Sequence, residues 1–295
     1  MIKKIQLDDF ELSYMTEGEG RDVLLLHGFP SNMYFWNDLK NDLKDYCRVT
    51  VVEQRGYPLS PVENSIVSDF NIENLSLDIE KLIRTLQLNN NLTIVGHDWG
   101  SIVAWSIASR NNVDIEKLIS ICGGTEFPST SIYNNLLFDN GMHYISSFQN
   151  PEKANKLIIK NLDLFFRSAY RITPKFDIDI IDLSLHSLFT THNFKSKIHN
   201  IDIELLIKHF KHGMEQPISW YSNIDFNLEL SNQWRRKLDI KTIFLFGEND
   251  AAVKLNKKMI DRLKSSGTNV VVKEIKNADH WLPLTHRESV ISEII

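Results

Sequence analysis

The stretch LTIVGHDWG, residues 92–100, decides the fold of this chain of 295 residues. Its first four residues form a short apolar run, which predicts a strand that is buried on both faces. Gly96 and Gly100 leave room for a tight turn from that strand into the apolar helix predicted over residues 100–110. The turn would hold the Asp98 carboxylate above the sheet, beside the free N–H groups at the positive end of the helix. Asp98 is therefore a candidate nucleophile, and its alternative role is that of a helix N-cap.

Other short apolar runs of the same kind lie on both sides of this turn in the sequence. They are found at residues 23–26, 49–52, 117–121, 242–246 and 270–273, and residues 2–16 alternate as in an opening hairpin. Residues 74–87 place their leucine and isoleucine side chains on one helical face. Strands that alternate with helices predict a mostly parallel central sheet with helices on both faces.

The alternation of strands and helices stops between residues 126 and 233. Helical periodicity and aromatic side chains dominate this segment, among them Phe148, Phe165 and Tyr170. We therefore predict a helical cap at residues 126–233. The cap would be inserted into an α/β core domain that residues 1–125 and 234–295 form together.

The composition excludes several classes of protein. The formal net charge is −5 and the isoelectric point is about 6.1, so no basic surface for nucleic acid is expected. No apolar stretch approaches the ~20 residues of a membrane span, and the first residues lack the apolar segment of a signal peptide. Cys47 and Cys122 are too few for a disulfide framework. We therefore expect a cytoplasmic protein that neither binds nucleic acid nor inserts into a membrane.

A second motif, HGFP at residues 27–30, directly follows the first apolar run. The motif alone could be a plain turn, but its position well ahead of GHDWG makes it more specific. A loop in that position supplies one half of an oxyanion hole. The expected donors are the backbone N–H groups of Phe29 and of Trp99, the residue after the nucleophile.

Two more motifs, GEND at residues 247–250 and DHW at residues 279–281, follow late strands. A carboxylate at the carboxyl end of a parallel strand lies on the rim where such sheets bind their ligands. The chain order Asp98, Asp250, His280 is that of nucleophile, acid and base in hydrolases built on a strand–nucleophile–helix turn. The other histidines lack such a placement, and we expect most of those in the cap to be surface residues.

Taken together, these motifs resemble the epoxide hydrolase branch of the α/β-hydrolase superfamily. The resemblance covers nearly the whole chain and is strong at HGFP (27–30), QRGY (54–57), GHDWG (96–100), GEND (247–250) and DHW (279–281). It implies the α/β-hydrolase fold: a mostly parallel central sheet, helices on both faces and an inserted helical cap. Haloalkane dehalogenases are close relatives, which share the Asp nucleophile and the HDWG turn.

The resemblance also implies two cap tyrosines whose hydroxyl groups hold the epoxide oxygen. Tyr221 follows Trp220 in the W-Y pair that the family carries late in the cap. Tyr144 lies four residues before the FQNP stretch at 148–151, which matches the family's early tyrosine. Either ring could instead be core packing with its hydroxyl on a carbonyl. Dehalogenases tend to place a halide donor after HG, and the Phe29 side chain cannot donate.

Three positions depart from the family pattern or compete with it. Pro58-Leu59-Ser60 replaces the usual Gly-x-Ser continuation after QRGY, and Ser222 follows the W-Y pair where an arginine is common. Glu126 is a rival for the acid, because some dehalogenases carry it just after the sixth strand. We prefer Asp250, which lies in the commoner place and in the fuller motif.

The implied mechanism needs no metal and no organic cofactor. Asp98 opens the epoxide to an alkyl-enzyme ester while Tyr144 and Tyr221 donate to the oxygen, and His280, oriented by Asp250, activates water to release a vicinal diol. The expected partners are a small apolar epoxide-type substrate and water. The oligomeric state is open, with a homodimer as one option. The alternatives are a haloalkane or haloacid dehalogenase that uses the same Asp98, or a ligand-binding member of the fold without catalysis.

Overall fold

The computed structural model describes residues 1–123, 143–170, 201–234, 236–250, 255 and 257–295. Within these residues the chain forms one sheet of eight strands, in the spatial order β1-β2-β4-β3-β5-β6-β7-β8. The strands are β1 Lys3–Gln6, β2 Glu11–Glu17, β3 Arg21–Leu26, β4 Cys47–Glu53, β5 Thr93–His97, β6 Lys117–Ile121, β7 Lys241–Gly247 and β8 Val270–Ile275. All the strands that the apolar runs predict are present.

The sheet is antiparallel at one edge and parallel over the rest. β1 and β2 form the predicted hairpin, and β2 pairs antiparallel with β4, whereas every pairing from β4 through β3 to β8 is parallel. Val23 to Leu26 are consecutive and all at most 1% exposed. Because neighbouring side chains of a strand point to opposite faces, this part of the sheet is covered on both faces.

The helices of the core pack in two groups. They are α1 Asn37–Leu43, α2 Ile72–Thr85 and α3 Trp99–Arg110, with short 3-10 helices at Met33–Trp36 and Val67–Phe70 before α1 and α2. Near the end of the chain, α10 Lys257–Ser265, α11 Leu282–Thr285 and α12 Arg287–Ile294 follow the cap described next. α2 packs against α3, and α1 packs against α12. A mostly parallel sheet between helices is the architecture that the alternation predicts.

Between β6 and β7 every described element is a helix. These are α4 His143–Ser147, α5 Pro151–Lys160, α6 Leu162–Ala169, α7 Ile203–Phe210, α8 Glu215–Ser222 and α9 Ile224–Trp234. They lie in the segment predicted as a helical cap, while residues 124–142 and 171–200 lie outside the described part. In the described part of the chain, no helix has the length and apolar character to cross a membrane.

The last strand differs from what its sequence predicts. The run at 270–273 indicates a strand buried on both faces, but β8 is the edge strand of the sheet and Val271 is 40% exposed. An apolar run indicates β-structure by the bulk of its residues, whereas the burial of each face depends on which elements cover it.

Candidate active site

Four loops that carry the predicted site residues meet at one edge of the sheet. Phe29 follows β3, Asp98 follows β5, Asp250 follows β7, and His280 lies after β8. Because these strands run parallel in one sheet, with β6 between β5 and β7, their carboxyl ends lie along the same edge. That edge is where sheets of this kind place their ligand-binding loops.

The turn after β5 has the shape that its glycines predict. Asp98 has φ 54° and ψ −121°, a backbone conformation that is rare for residues with a side chain. A Cβ on Gly28 would collide with the Asp98 carboxylate, and a Cβ on Gly100 would collide with the backbone of β3. The glycines therefore allow three segments of backbone to converge under one carboxylate.

The Asp98 carboxylate accepts a hydrogen bond from another loop instead of capping its own helix. Among the described residues, its side chain makes no capping hydrogen bond to α3. Oδ1 instead accepts the backbone N–H of Phe29 at 2.9 Å, from the loop after β3. The Asp98 side chain therefore does not cap α3 in the described part of the chain, and its role as nucleophile stays a prediction.

His280 lies between the two predicted carboxylates. Its Nδ1 is 3.1 Å and 3.2 Å from the oxygens of Asp250, and its Nε2 is 3.5 Å from Oδ2 of Asp98. The Asp250 side chain is fully buried, while that of Asp98 is 19% exposed. This arrangement orients the imidazole with one nitrogen on the acid and the other toward the candidate nucleophile.

The two carboxylates decide the charge of His280. Burial lowers its pKa, but the charge and hydrogen bonds of Asp250 and Asp98 outweigh burial and raise the pKa to about 10. His280 is therefore an imidazolium at neutral pH. Any reaction that removes the charge of Asp98 would lower the pKa of His280 and make it a better base.

A titration of the histidine rings by ¹⁵N NMR would check this charge. We expect His280 to stay protonated at neutral pH and to lose its proton near pH 10. Asp98→Asn should move that titration to lower pH, because one of the two carboxylates is gone. His97 is an internal reference that stays neutral, since burial and the charge of His280 lower its pKa to about 4.

The same raised pKa gives a stability effect with a defined sign. The folded-state pKa of His280 exceeds the ~6.5 of an unfolded histidine, so its stabilisation is complete below pH ~6.5 and is lost as the pH rises through about 10. Wild type titrating near pH 6.5, or an unchanged titration in Asp98→Asn, would contradict this account.

Both predicted cap tyrosines lie beside these groups. Tyr221 on α8 packs its ring 5.5 Å from the Phe29 ring and 5.1 Å from that of Trp99, between centroids. The Tyr144 ring on α4 lies 5.9 Å from the Tyr221 ring. The cap thus brings two phenols, from segments more than 70 residues apart, to the edge of the sheet that carries Asp98.

The Tyr221 hydroxyl is held as a proton donor. Burial, then the neighbouring Tyr144 and Asp98, raise the pKa of Tyr221 well above its usual value, so the phenol keeps its proton. The Trp99 side chain hydrogen-bonds to Tyr221. Because an indole can only donate, the Tyr221 oxygen is the acceptor, and its own O–H remains to be donated to another group.

The cap holds its two tyrosines together through polar contacts. Nε2 of Gln149, from the FQNP stretch, donates to the backbone oxygen of Tyr221 at 3.0 Å. Oγ of Ser222, which stands where the family often has arginine, donates to the backbone oxygen of Phe148 at 2.8 Å. The departure at Ser222 therefore links the α4 region to α8.

Several residues near the site were not predicted from the sequence. Tyr170 stacks on Trp281 with ring centroids 4.1 Å apart, and burial followed by the charge of Asp98 raises the pKa of its phenol well above the usual value. Nε1 of Trp281 donates to the oxygen of Ala169 at 2.9 Å, so the residue after His280 holds the end of α6. In the sequence, the only indication of these contacts is the abundance of aromatic residues in the cap.

One group of side chains has the residue types of a metal site. Among the described residues, the donor atoms of His97, Cys122 and His280 lie within 4.8 Å of one another. Burial and the nearby Asp250 raise the pKa of the Cys122 thiol well above its usual value, whereas metals bind the thiolate. His280 is committed to Asp250, and His97 Nε2 lies 2.8 Å from the His280 backbone oxygen. These contacts are better explained by support of the His280–Asp250 pair than by binding of a metal.

Some predicted features lie elsewhere. Glu126, the rival acid, lies outside the described residues, as do His192 and His199. His212 is exposed, as expected of a cap histidine, but His209 is buried with its side chain 7% exposed.

The comparisons with known proteins agree with this geometry. The sequence profile of the alpha/beta hydrolase fold family matches residues 23–287. The chain is 29% identical to epoxide hydrolase 2 of Caenorhabditis elegans over 95% of this chain and 75% of the relative. It is 28% identical to epoxide hydrolase 1 of the same organism over 98% and 68%. A solved epoxide hydrolase mutant from Vigna radiata superimposes with a TM-score of 0.84 and 21% identity, over 100% of this chain and 96% of the other.

Proposed function

The chain belongs to the alpha/beta hydrolase fold family, and from this premise we propose that it hydrolyses epoxides to vicinal diols. One observation supports this choice above the others. Tyr221 lies near enough to Asp98 for the carboxylate charge to raise the pKa of its phenol, the Tyr144 ring lies 5.9 Å from that of Tyr221, and a His–Asp pair lies beside Asp98. Two curated relatives that match nearly the whole of this chain are named epoxide hydrolases.

In the first proposed step, Asp98 attacks one carbon of the epoxide and the carbon–oxygen bond breaks. The leaving oxygen develops negative charge while still tethered to the substrate, and it takes hydrogen bonds from Tyr221 and Tyr144. Tyr221 suits this role, because its oxygen is already an acceptor for Trp99. The product is an ester between Asp98 and the opened substrate. The opened oxygen takes one proton, which the His280 imidazolium supplies by way of a tyrosine hydroxyl, so His280 is neutral once the ester has formed.

In the second proposed step, neutral His280 removes a proton from water and the water attacks the ester carbonyl. Esterification has by then removed the Asp98 charge, which was one of the two charges that raise the pKa of His280. The oxyanion is held by the N–H of Phe29, which donates to Asp98 in the free protein, and by the N–H of Trp99. The tetrahedral intermediate then breaks its bond to the substrate oxygen, which takes a proton back from His280 to complete the diol, and Asp98 returns its own proton to His280. All these groups come from one chain, so the mechanism does not require a homodimer.

The main competitor is a dehalogenase that uses the same Asp98. Halide expulsion needs no proton, and it would use the Trp99 indole as a halide donor. In this chain the indole is hydrogen-bonded to Tyr221, and Phe29 offers no side-chain donor beside it. These two observations favour the epoxide.

The proposal extends to domain organisation and to location. We propose that residues 126–233 act as the cap and that 1–125 and 234–295 form the core. We also propose a cytoplasmic location, which is supported by Cys47 and Cys122, both buried and neither in a disulfide. The substrate would be small and apolar, because Phe29, Trp99 and Phe148 surround Tyr221.

The cap tyrosines provide the test that separates the two functions. Tyr221→Phe or Tyr144→Phe removes a donor and keeps the ring. Each change should slow ester formation from an aryl epoxide by ~10- to 1,000-fold, the cost of losing an oxyanion donor or a general acid. The double variant should nearly stop it. The measurement is the pre-steady-state rate of alkylation.

Tyr46→Phe is the matched control, because Tyr46 is 64% exposed on the core. Wild type should form diol from the aryl epoxide and release little halide from a bromoalkane. Ester formation at the wild-type rate in the double variant, or halide release without epoxide opening, would replace the proposal with the dehalogenase alternative.

A further inference from the structure

We propose that Glu53 and His209 are positioning residues, which couple docking of cap helix α7 to the alignment of the loop that carries Phe29. The inference rests on the proposed function for its consequence in catalysis, but not for the contact itself. Neither residue touches the reacting groups. Both are buried, and the two-step mechanism uses neither.

Glu53 ends β4 and divides its two carboxylate oxygens between the core and the cap. Oε2 accepts the backbone N–H of Met33 at 2.8 Å, in the segment that continues from HGFP. Oε1 lies 2.5 Å from Nε2 of His209, near the end of α7. One rigid side chain therefore contacts both the oxyanion loop and the cap.

The loop that Glu53 holds is the one that aligns Phe29. Gln54, the next residue, donates its backbone N–H to His27 Nε2 at 3.2 Å, and its amide also donates to the His27 oxygen. The Tyr57 hydroxyl donates to the Gly28 oxygen at 3.3 Å. Gln54 and Tyr57 therefore hold the start of the loop and Glu53 holds its far end, while the Phe29 N–H between them meets Asp98. Tyr57 reaches the cap through ring contacts with Phe210 and Trp220, and Glu53 reaches it through the polar contact with His209.

The contact is costly to break because it is buried. The Glu53 side chain is 0% exposed and that of His209 is 7% exposed. Burial raises the pKa of Glu53, but the hydrogen bond and charge of His209 outweigh it and leave the pKa below its usual value, so Glu53 is ionised. An ionised carboxylate that loses its partner inside a protein must find another donor or rearrange. If the cap undocks at α7, Glu53 is driven to move, and the Met33 N–H moves with it.

The charged and titratable groups around the pair reinforce this coupling. His27 lies in the loop after β3, and burial lowers its pKa, so it is neutral at pH 7 and supplies no charge to Glu53. Tyr34 packs its ring 5.9 Å from the His209 ring, and burial followed by the charge of Glu53 raises the pKa of its phenol. Among these groups, His209 is the one whose ring nitrogen lies within hydrogen-bond distance of Oε1 of Glu53.

Hydrogen exchange measured by mass spectrometry tests the coupling without any substrate. His209→Phe keeps an aromatic ring but removes the donor, whereas His209→Gln can still reach Oε1 of Glu53 with an N–H. His209→Phe should speed exchange by at least about tenfold in both segments, 28–36 and 203–210. His209→Gln should stay near wild type, and so should His212→Phe, because His212 is exposed beyond the end of the same helix.

The second measurement is the rate of ester hydrolysis. His209→Phe should slow it by about 10- to 100-fold, less than complete loss of an oxyanion donor, with KM little changed. His209→Gln should restore most of the rate, which a general loss of packing would not predict. If His209→Phe does not fold, His209→Asn replaces it, because that side chain is too short to reach Oε1.

Faster exchange in 203–210 alone, with the 28–36 segment and the hydrolysis rate as in wild type, would reduce the pair to an ordinary cap contact and overturn the proposal. Unchanged exchange in both segments would overturn it as well. If wild type opens no epoxide, the proposed function fails, yet the exchange data still decide whether cap and loop are coupled.

Discussion

Asp98→Ala should abolish turnover of an epoxide and lower kcat by at least ~10⁴-fold, while the chain remains folded. In the proposed mechanism the Asp98 carboxylate forms the covalent bond of the first step. The other carboxylate beside His280, that of Asp250, is fully buried. Asp98→Asn should be nearly as slow at first, because an amide is a poor nucleophile. The measurement is diol formation in steady state, together with a thermal melt.

The control for this change is Asp45→Ala, which removes an exposed carboxylate of the core. Its kcat should equal that of wild type. Substantial turnover by Asp98→Ala, with the same melting temperature, would rule out covalent catalysis. A mechanism in which His280 activates water for direct attack on the epoxide would then take its place.

His280→Gln should trap the ester on Asp98, with hydrolysis slowed by ~10³-fold or more. The proposed first step does not use the imidazole as a base, since the raised pKa of His280 keeps it protonated. Alkylation should therefore continue, and the protein should gain the mass of one substrate molecule. Intact-protein mass spectrometry after incubation with substrate measures this, and peptide mapping locates the adduct.

The double variant His280→Gln with Asp98→Ala is the matched control, and it should gain no mass. Asp250→Asn should also accumulate ester, but to a smaller extent. The imidazole of His280 would still be present as a base, but it would no longer be oriented by the Asp250 carboxylate. An absent adduct in His280→Gln, with substrate shown to bind, would count against two steps. A stronger effect from Glu126→Gln than from Asp250→Asn would move the acid role to Glu126.

The sequence determined those features that arise from short segments. The runs at 23–26 and 92–95 are buried strands because continuous branched apolar residues suit a sheet that is covered on both faces. Gly96 leaves room for the backbone of Gly100 and Ser101 within the same turn, which is a local steric requirement. The sequence could predict that Asp98, Asp250 and His280 lie close together. Parallel strands bring their carboxyl ends to one edge of the sheet, regardless of the length of the segments between them.

Tertiary structure decided how distant segments use their polar groups. From the sequence, the carboxylate of Asp98 could equally have capped α3. In the structure it accepts a hydrogen bond from the N–H of Phe29, 69 residues away in sequence, and makes no capping hydrogen bond. The Glu53–His209 contact spans 156 residues and joins core to cap, so no local pattern could reveal it. β8 looks like a buried strand in sequence and is a half-exposed edge in the fold. The periodicity of a sequence indicates which residues can be buried. The hydrogen-bond partner of a buried polar group depends instead on which distant segments pack within hydrogen-bond distance of it.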